Sequence, residues 1–96
     1  MSLKYVLSPM AEADLEEIWV YTEQEWSAVQ AEIYTNDIID VFEGIATGKK
    51  AGRPALIREG YHKTLIGRDA IYYQIQGEVI AIIRILHQSM DLERHL

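Results

Sequence analysis

The chain has 96 residues, 49% of them hydrophobic and 25% charged, which suits one two-layer core spanning 1–96 and leaves no room for a second. It contains no cysteine, which excludes disulfides, thiolate metal sites and a cysteine nucleophile, and no apolar run approaches the ~18–20 residues of a membrane span. The net charge of −6 conceals a division: residues 1–48 set one basic side chain, Lys4, against ten acids (−9), whereas residues 49–96 set eight Lys or Arg against five acids (+3). An acidic half repels a phosphate backbone, so direct DNA binding is not expected; the basic half suits an acidic partner. The start, MSLKYVLSP, is too short and polar for a signal peptide, and a cytoplasmic protein is expected.

LKYVL, at 3–7, alternates as a short strand. Ser8-Pro9 supplies an N-cap and a proline at the first helical position, with Glu12 favourable in the first turn. Ala11, Leu15, Ile18, Trp19 and Trp26 recur at helical spacing and predict an amphipathic helix of about four turns. Thr22 interrupts that stripe but offers its methyl group. Ser27-Ala28-Val29-Gln30 has the form of a capping box and opens a second helix. Ala31, Tyr34, Ile38, Val41, Phe42 and Ile45 then share one face, and Gly48 is its stop. With so little chain between them, the helices fold back as a hairpin.

GKKAGRPALIREG, at 48–60, reads as a loop. Three strand candidates follow: YHKTLI (61–66), AIYYQI (70–75) and VIAIIRIL (79–86). Short glycine-bearing turns between them imply antiparallel pairing. The third is almost wholly apolar, as a central strand covered on both faces would be. Tyr72 and Tyr73, being adjacent, face opposite sides of the sheet. This order predicts an α+β fold, with an N-terminal strand and a helical hairpin packed on one face of a small, mainly antiparallel twisted sheet.

Motifs for chemistry are sparse. GIATGKK, at 44–50, is a poor phosphate-binding loop: its glycine spacing is wrong, no Ser or Thr follows the lysine, and a helix precedes it. His62, His87 and His95 lack ligand spacing, so neither a metal nor another cofactor is expected. No serine sits in a nucleophile elbow, and no carboxylate pair has acid–base spacing. Cleaving RNA through its 2′-hydroxyl needs a base, an acid and a cation. Arg58, Lys63, Arg68, Arg84, His87, Arg94 and His95 supply those types, yet a net charge of −6 runs against docking into structured RNA. Arg84, the only charge within VIAIIRIL, is either a structural arginine paired with an acid such as Asp91 or a polar anchor for a partner. The tail HQSMDLERHL, at 87–96, therefore has three readings: a metal site, a catalytic tail or a recognition surface.

The chain resembles the ParE toxins of the RelE/ParE superfamily, the toxic half of bacterial type II toxin–antitoxin pairs. The resemblance covers nearly the whole length. It rests on LSPMAEADLEEIWVYTEQEW near the start, AGRP at 51–54 and IGRDAIYYQIQGEVIAIIRILHQSMDLERHL at the end. It implies a helical hairpin on an antiparallel sheet. For function it implies a toxin with no catalytic residues that inhibits growth by binding DNA gyrase. A ParD-like antitoxin, usually a ribbon-helix-helix DNA-binding dimer with a disordered tail, would neutralise it in a hetero-oligomer. RelE relatives instead cut messenger RNA on the ribosome, often using a C-terminal tyrosine or histidine. This chain has no tyrosine after Tyr73, while His95 keeps that alternative open.

On the recognition reading, Arg84, His87, Met90, Asp91 and Arg94 are expected to serve toxicity or local structure, Met90 by adapting its shape to an apolar pocket. Antitoxin tails are disordered until bound, and the basic excess of residues 49–96 favours an acidic one. Candidate contacts are Arg53, Arg58, Lys63 and Arg68, with Trp19 or Trp26 as aromatic anchors. Helical position nevertheless assigns both tryptophans to the core first.

Overall fold

Ser8 and Pro9 decide where the first strand stops. In the structure, a computed structural model describing residues 3–50, 52–54 and 59–90, β1 (Lys4–Leu7) gives way there to α1 (Pro9–Glu25). The Ser8 hydroxyl accepts the Ala11 amide at 3.0 Å and donates to the Ile83 carbonyl at 2.7 Å, so the cap of α1 is also tied to the last strand. Only Trp26 and Ser27 separate α1 from α2 (Ala28–Thr47), which forces the hairpin. Ser27 Oγ accepts the Gln30 amide at 3.0 Å, and Gly48, left-handed at φ 80°, ends α2 as expected.

Four strands follow: β2 (Arg53–Pro54), β3 (His62–Ile66), β4 (Asp69–Gln76) and β5 (Val79–His87). The sheet order is β1-β5-β4-β3-β2, with β2 to β5 antiparallel and β1 parallel to β5, Lys4 lying opposite Val79 and Leu7 opposite Ile82. The apolar β5 is thus interior to the sheet, in line with its composition. The stretch read as a loop holds the two-residue strand β2, which sets Arg53 opposite Lys63. Its proline is tolerated because β2 is an edge.

One face of the sheet carries the helices. Ala11 of α1 and Ile38, Val41, Phe42 and Ile45 of α2 pack there against Ile71, Tyr73, Ile80, Ile82 and Ile85. A smaller cluster of Ala70, Tyr72 and Leu86, with Tyr61 against it, occupies the other face, so the adjacent tyrosines separate as expected.

Pairing of β4 with β5 skips one residue: Tyr73 lies opposite Ile82, but Tyr72 lies opposite Arg84. Ile83 is the extra residue of a β-bulge. It resets the alternation of β5. Ile80 and Ile82 face the helices before it and Ile85 faces them after it, while Arg84 and Leu86 fall on the side of Tyr72. Unbroken alternation would have placed Arg84 beneath the helices.

One core expectation fails. Trp26 is 71% exposed. Helical geometry ends at Glu25, and Trp26, at φ −128° and ψ −83°, no longer continues the inward stripe. Trp19 is half-buried; Ala11, Asp14 and Thr22 are the buried positions of α1, and Leu15 and Ile18 pack against the core as expected.

Candidate functional site

β1 pairs with β5 only as far as Ile82, and beyond it the same side of β5 is met by α1. Backbone groups there need partners, and side chains provide them. Ser8 serves the Ile83 carbonyl, and Asp14 Oδ2 accepts the Ile85 amide at 3.0 Å. Arg84 comes to the same carboxylate: its Nε lies 2.7 Å from Oδ2 and its Nη2 2.8 Å from Oδ1. This two-point geometry fits a planar guanidinium to a carboxylate. The hydrogen bond that Arg84 donates to Asp14 raises the arginine's pKa above its ordinary value, against the burial that lowers it.

Arg84 is therefore a paired arginine, and among the described residues its acid is Asp14; Asp91 lies outside them. Asp14 is the functional-looking residue that the sequence reading passed over. Its signal was present, since position 14 falls on the stripe of Ala11, Leu15 and Ile18, where a carboxylate has to find a partner.

The turn from β3 to β4 forms the second wall. Gly67 has φ +52°, and a Cβ on it would come within 2.7 Å of the Tyr34 hydroxyl. That hydroxyl donates to Asp69 Oδ2 at 2.6 Å and lies 3.1 Å from the Ile66 carbonyl oxygen. Burial first, and the hydrogen bond to Asp69 second, hold the Tyr34 phenol above its ordinary pKa. On the far side, the Gln88 amide donates to the Arg68 carbonyl at 2.9 Å, and Gln88 Nε2 donates to the Gly67 carbonyl at 2.9 Å. Arg68 itself is exposed. Its guanidinium stands 4.8 Å from the Tyr21 ring centroid, with Nη1 3.4 Å from the Tyr21 hydroxyl.

Two clefts adjoin this turn. One, of about 320 Å³, extends from Asp14 and Ile18 to His87 and Met90. The other, of about 390 Å³, opens at the mouth of the helical hairpin between Thr22, Trp26, Tyr34 and Gly67. Arg68 borders both. His87 closes β5 with Nδ1 accepting the Ser89 amide at 3.1 Å and lying 2.7 Å from Ser89 Oγ, which suits the tautomer protonated at Nε2. The Met90 amide caps the turn on the His87 carbonyl at 2.9 Å.

Of the residues expected to serve toxicity, Arg84, His87 and Met90 share the first cleft; Asp91 and Arg94 lie outside the described residues. Of those expected to meet an antitoxin, Arg68 and Trp26 converge on the second cleft. Lys63 stands apart, opposite Tyr72 with Nζ 5.9 Å from its ring centroid, on the face away from the helices. Trp19 lines neither cleft, Arg58 lies outside the described residues, and only the backbone of Arg53 is described. Among the described residues, no helix is long and apolar enough to cross a membrane.

A family model described as the ParE toxin of the type II toxin–antitoxin system parDE matches residues 5–92. The chain belongs to the ParE toxin family. Toxin ParE1 of Mycobacterium tuberculosis strain H37Rv is 41% identical over 98 residues, covering all of both chains. Toxin ParE1 of Caulobacter vibrioides is 40% identical over 93 residues, 96% of each chain. Among solved structures, the chromosomal ParDE system from P. aeruginosa superposes with a TM-score of 0.79 at 20% identity, over 90% of this chain and 96% of that one. The RelBE2 toxin–antitoxin complex from M. tuberculosis gives 0.65 at 16% identity, over 92% and 100%. Likeness at these identities speaks for the fold alone, which this chain shares with those two structures. The ParE match spans every described residue that lines the two clefts.

Proposed function

We propose that this ParE-family toxin arrests growth by binding DNA gyrase in the cytoplasm, breaks no bonds itself, and is held inactive by a ParD-like antitoxin in a hetero-oligomer. The observation that carries this reading is the family match over residues 5–92, together with full-length relatives named Toxin ParE1 at 40–41% identity. Likeness to a ParDE system supports the choice of antitoxin class. The geometry of Arg84 supports a binding role over a nucleolytic one. Two guanidinium nitrogens are engaged by Asp14 at 2.7 and 2.8 Å, so this cation serves the fold before it can serve a phosphorane. His87 and Met90, exposed beside it, are the proposed target contacts, joined by Asp91 and Arg94 of the tail.

A supercoiling assay with the purified chain tests the proposal. Inhibition, or trapped gyrase–DNA cleavage complexes, is expected; unaltered gyrase at high toxin excess overturns it. Messenger RNA is followed in the same induced cells. Messages cut early in arrest, and spared by His87→Ala or His95→Ala, would point to the RelE-like endoribonuclease instead.

A further inference from the structure

The β3–β4 turn is anchored from two sides: Tyr34 packs on Gly67 and bonds Asp69, and Gln88 takes the carbonyls of both Gly67 and Arg68. The side chain this frame presents outward is Arg68. Holding a long cationic side chain at a surface costs conformational entropy, and a backbone fixed in advance lowers what a binding partner must supply. Arg68 leans on Tyr21, which is itself half exposed, and its guanidinium reaches the rim of both clefts. Among the described residues lining the hairpin-mouth cleft it is the only charged one, beside the exposed indole of Trp26. The other cleft offers Ile18, Leu86 and Met90 as apolar lining.

An arginine standing between two hollows that each offer apolar surface is complementary to one carboxylate flanked by large apolar side chains. A nucleic acid strand fits badly. Asp14, Glu17 and Asp69 line the first cleft, and the half of the chain that forms the helices carries −9, so successive phosphates would meet like charge. A peptide segment can place a single acid where the arginine is and keep the remaining contacts apolar.

We propose that the antitoxin segment which neutralises this chain lies along one groove made of both clefts, seats an Asp or Glu on Arg68 and places apolar side chains in the hollows beside Trp26 and Met90. This inference rests on the antitoxin partnership proposed above, and goes further in naming the chemistry of the bound segment and the residue that reads it.

The test uses a purified ParD-like antitoxin, the partner proposed above, as the probe. It is titrated calorimetrically into the wild-type chain and into Arg68→Ala, Arg68→Lys and Arg68→Glu, with growth rescue on co-expression followed in parallel. Arg68→Ala is expected to weaken binding about 10- to 100-fold, and Arg68→Glu to weaken it further. Arg68→Lys recovers part of the loss, since it keeps the charge but not the fork. Replacing one acid of the antitoxin by Arg restores binding to Arg68→Glu alone. Thermal melting of the free variants stays close to wild type, because Arg68 is exposed. If the wild type is neither bound nor neutralised, the antitoxin reading itself fails and takes this inference with it. If the wild type is neutralised and all three variants bind as tightly, the groove assignment is overturned while the antitoxin reading stands. Self-association that depends on Arg68 would make a second copy the occupant and likewise overturn it.

Discussion

Asp14 of α1 and Arg84 of β5 meet where pairing with β1 stops, and one carboxylate there serves both a guanidinium and the Ile85 amide. With the two side chains only 10% and 11% exposed, Asp14→Ala takes the carboxylate from a largely buried cation and from an amide together. Its expected cost is about 3–5 kcal/mol. Asp14→Asn retains one acceptor and should fall between that variant and wild type. Urea unfolding followed by far-UV circular dichroism measures both. Wild-type stability in Asp14→Ala would remove the pair from the account of the fold.

The Tyr34 phenol makes stability sensitive to alkali. Its folded pKa is raised, so the folded state holds this proton more tightly than the unfolded chain does. The associated stability is fully present below the unfolded value near about 10 and is lost as pH rises from there towards the folded one. Tyr34→Phe should flatten the decline in unfolding free energy above about pH 10. A residual slope is expected from Tyr72, whose pKa burial also raises. Equal slopes in the variant and the wild type would contradict the assignment.

Two glycines with positive φ should respond differently to alanine. Gly67→Ala meets both the left-handed backbone at φ +52° and the Tyr34 ring, and should cost about 2–4 kcal/mol. Gly77, at φ +64° with nothing within 4 Å of a Cβ, carries the backbone penalty alone, about 1 kcal/mol. Melting temperatures of the two variants give the order directly, and a reversed order would reject the close approach at Gly67.

Truncating the large aromatics separates surface from core. Phe42, fully buried against Tyr5 at a ring separation of 5.5 Å, should cost about 3–5 kcal/mol as Phe42→Ala. Trp26→Ala should change stability by no more than about 0.5 kcal/mol, because the side chain is 71% exposed. A large loss at Trp26 would mean that its indole is structural.

Much of this architecture could be read before any coordinates, for local reasons. Ser8-Pro9 and Ser27 mark helix starts through capping chemistry that acts within four residues, and Gly48 marks a stop through its backbone freedom. Periodicity separated helices from strands. Non-local choices stayed hidden. Nothing in LKYVL says that it joins β5 in parallel, and nothing in VIAIIRIL marks Ile83 as an extra residue. A lone arginine in an apolar strand signals the need for an acid, but nothing local shows that α1 supplies Asp14 from 70 positions away. The apolar spacing points Trp26 inward, but it lies one residue past the end of the helix that gives that spacing its meaning. Of the two clefts, the individual lining residues Arg68, Arg84, His87 and Met90 were legible by type. Their convergence depended on the β3–β4 turn folding back against Tyr34 and Gln88.

The bulge at Ile83 acts as a reading-frame marker within β5. Remove one residue from the strand ahead of Arg84, and everything downstream trades sides: the guanidinium is driven in among isoleucines, Ile85 turns away from the hairpin, and Leu86 leaves Tyr72. A relative whose last strand is a single residue shorter cannot simply slide its partner along. It has to give up the ion pair or rebuild both layers, and an alignment that closes a gap at this point would match the arginine to the wrong position.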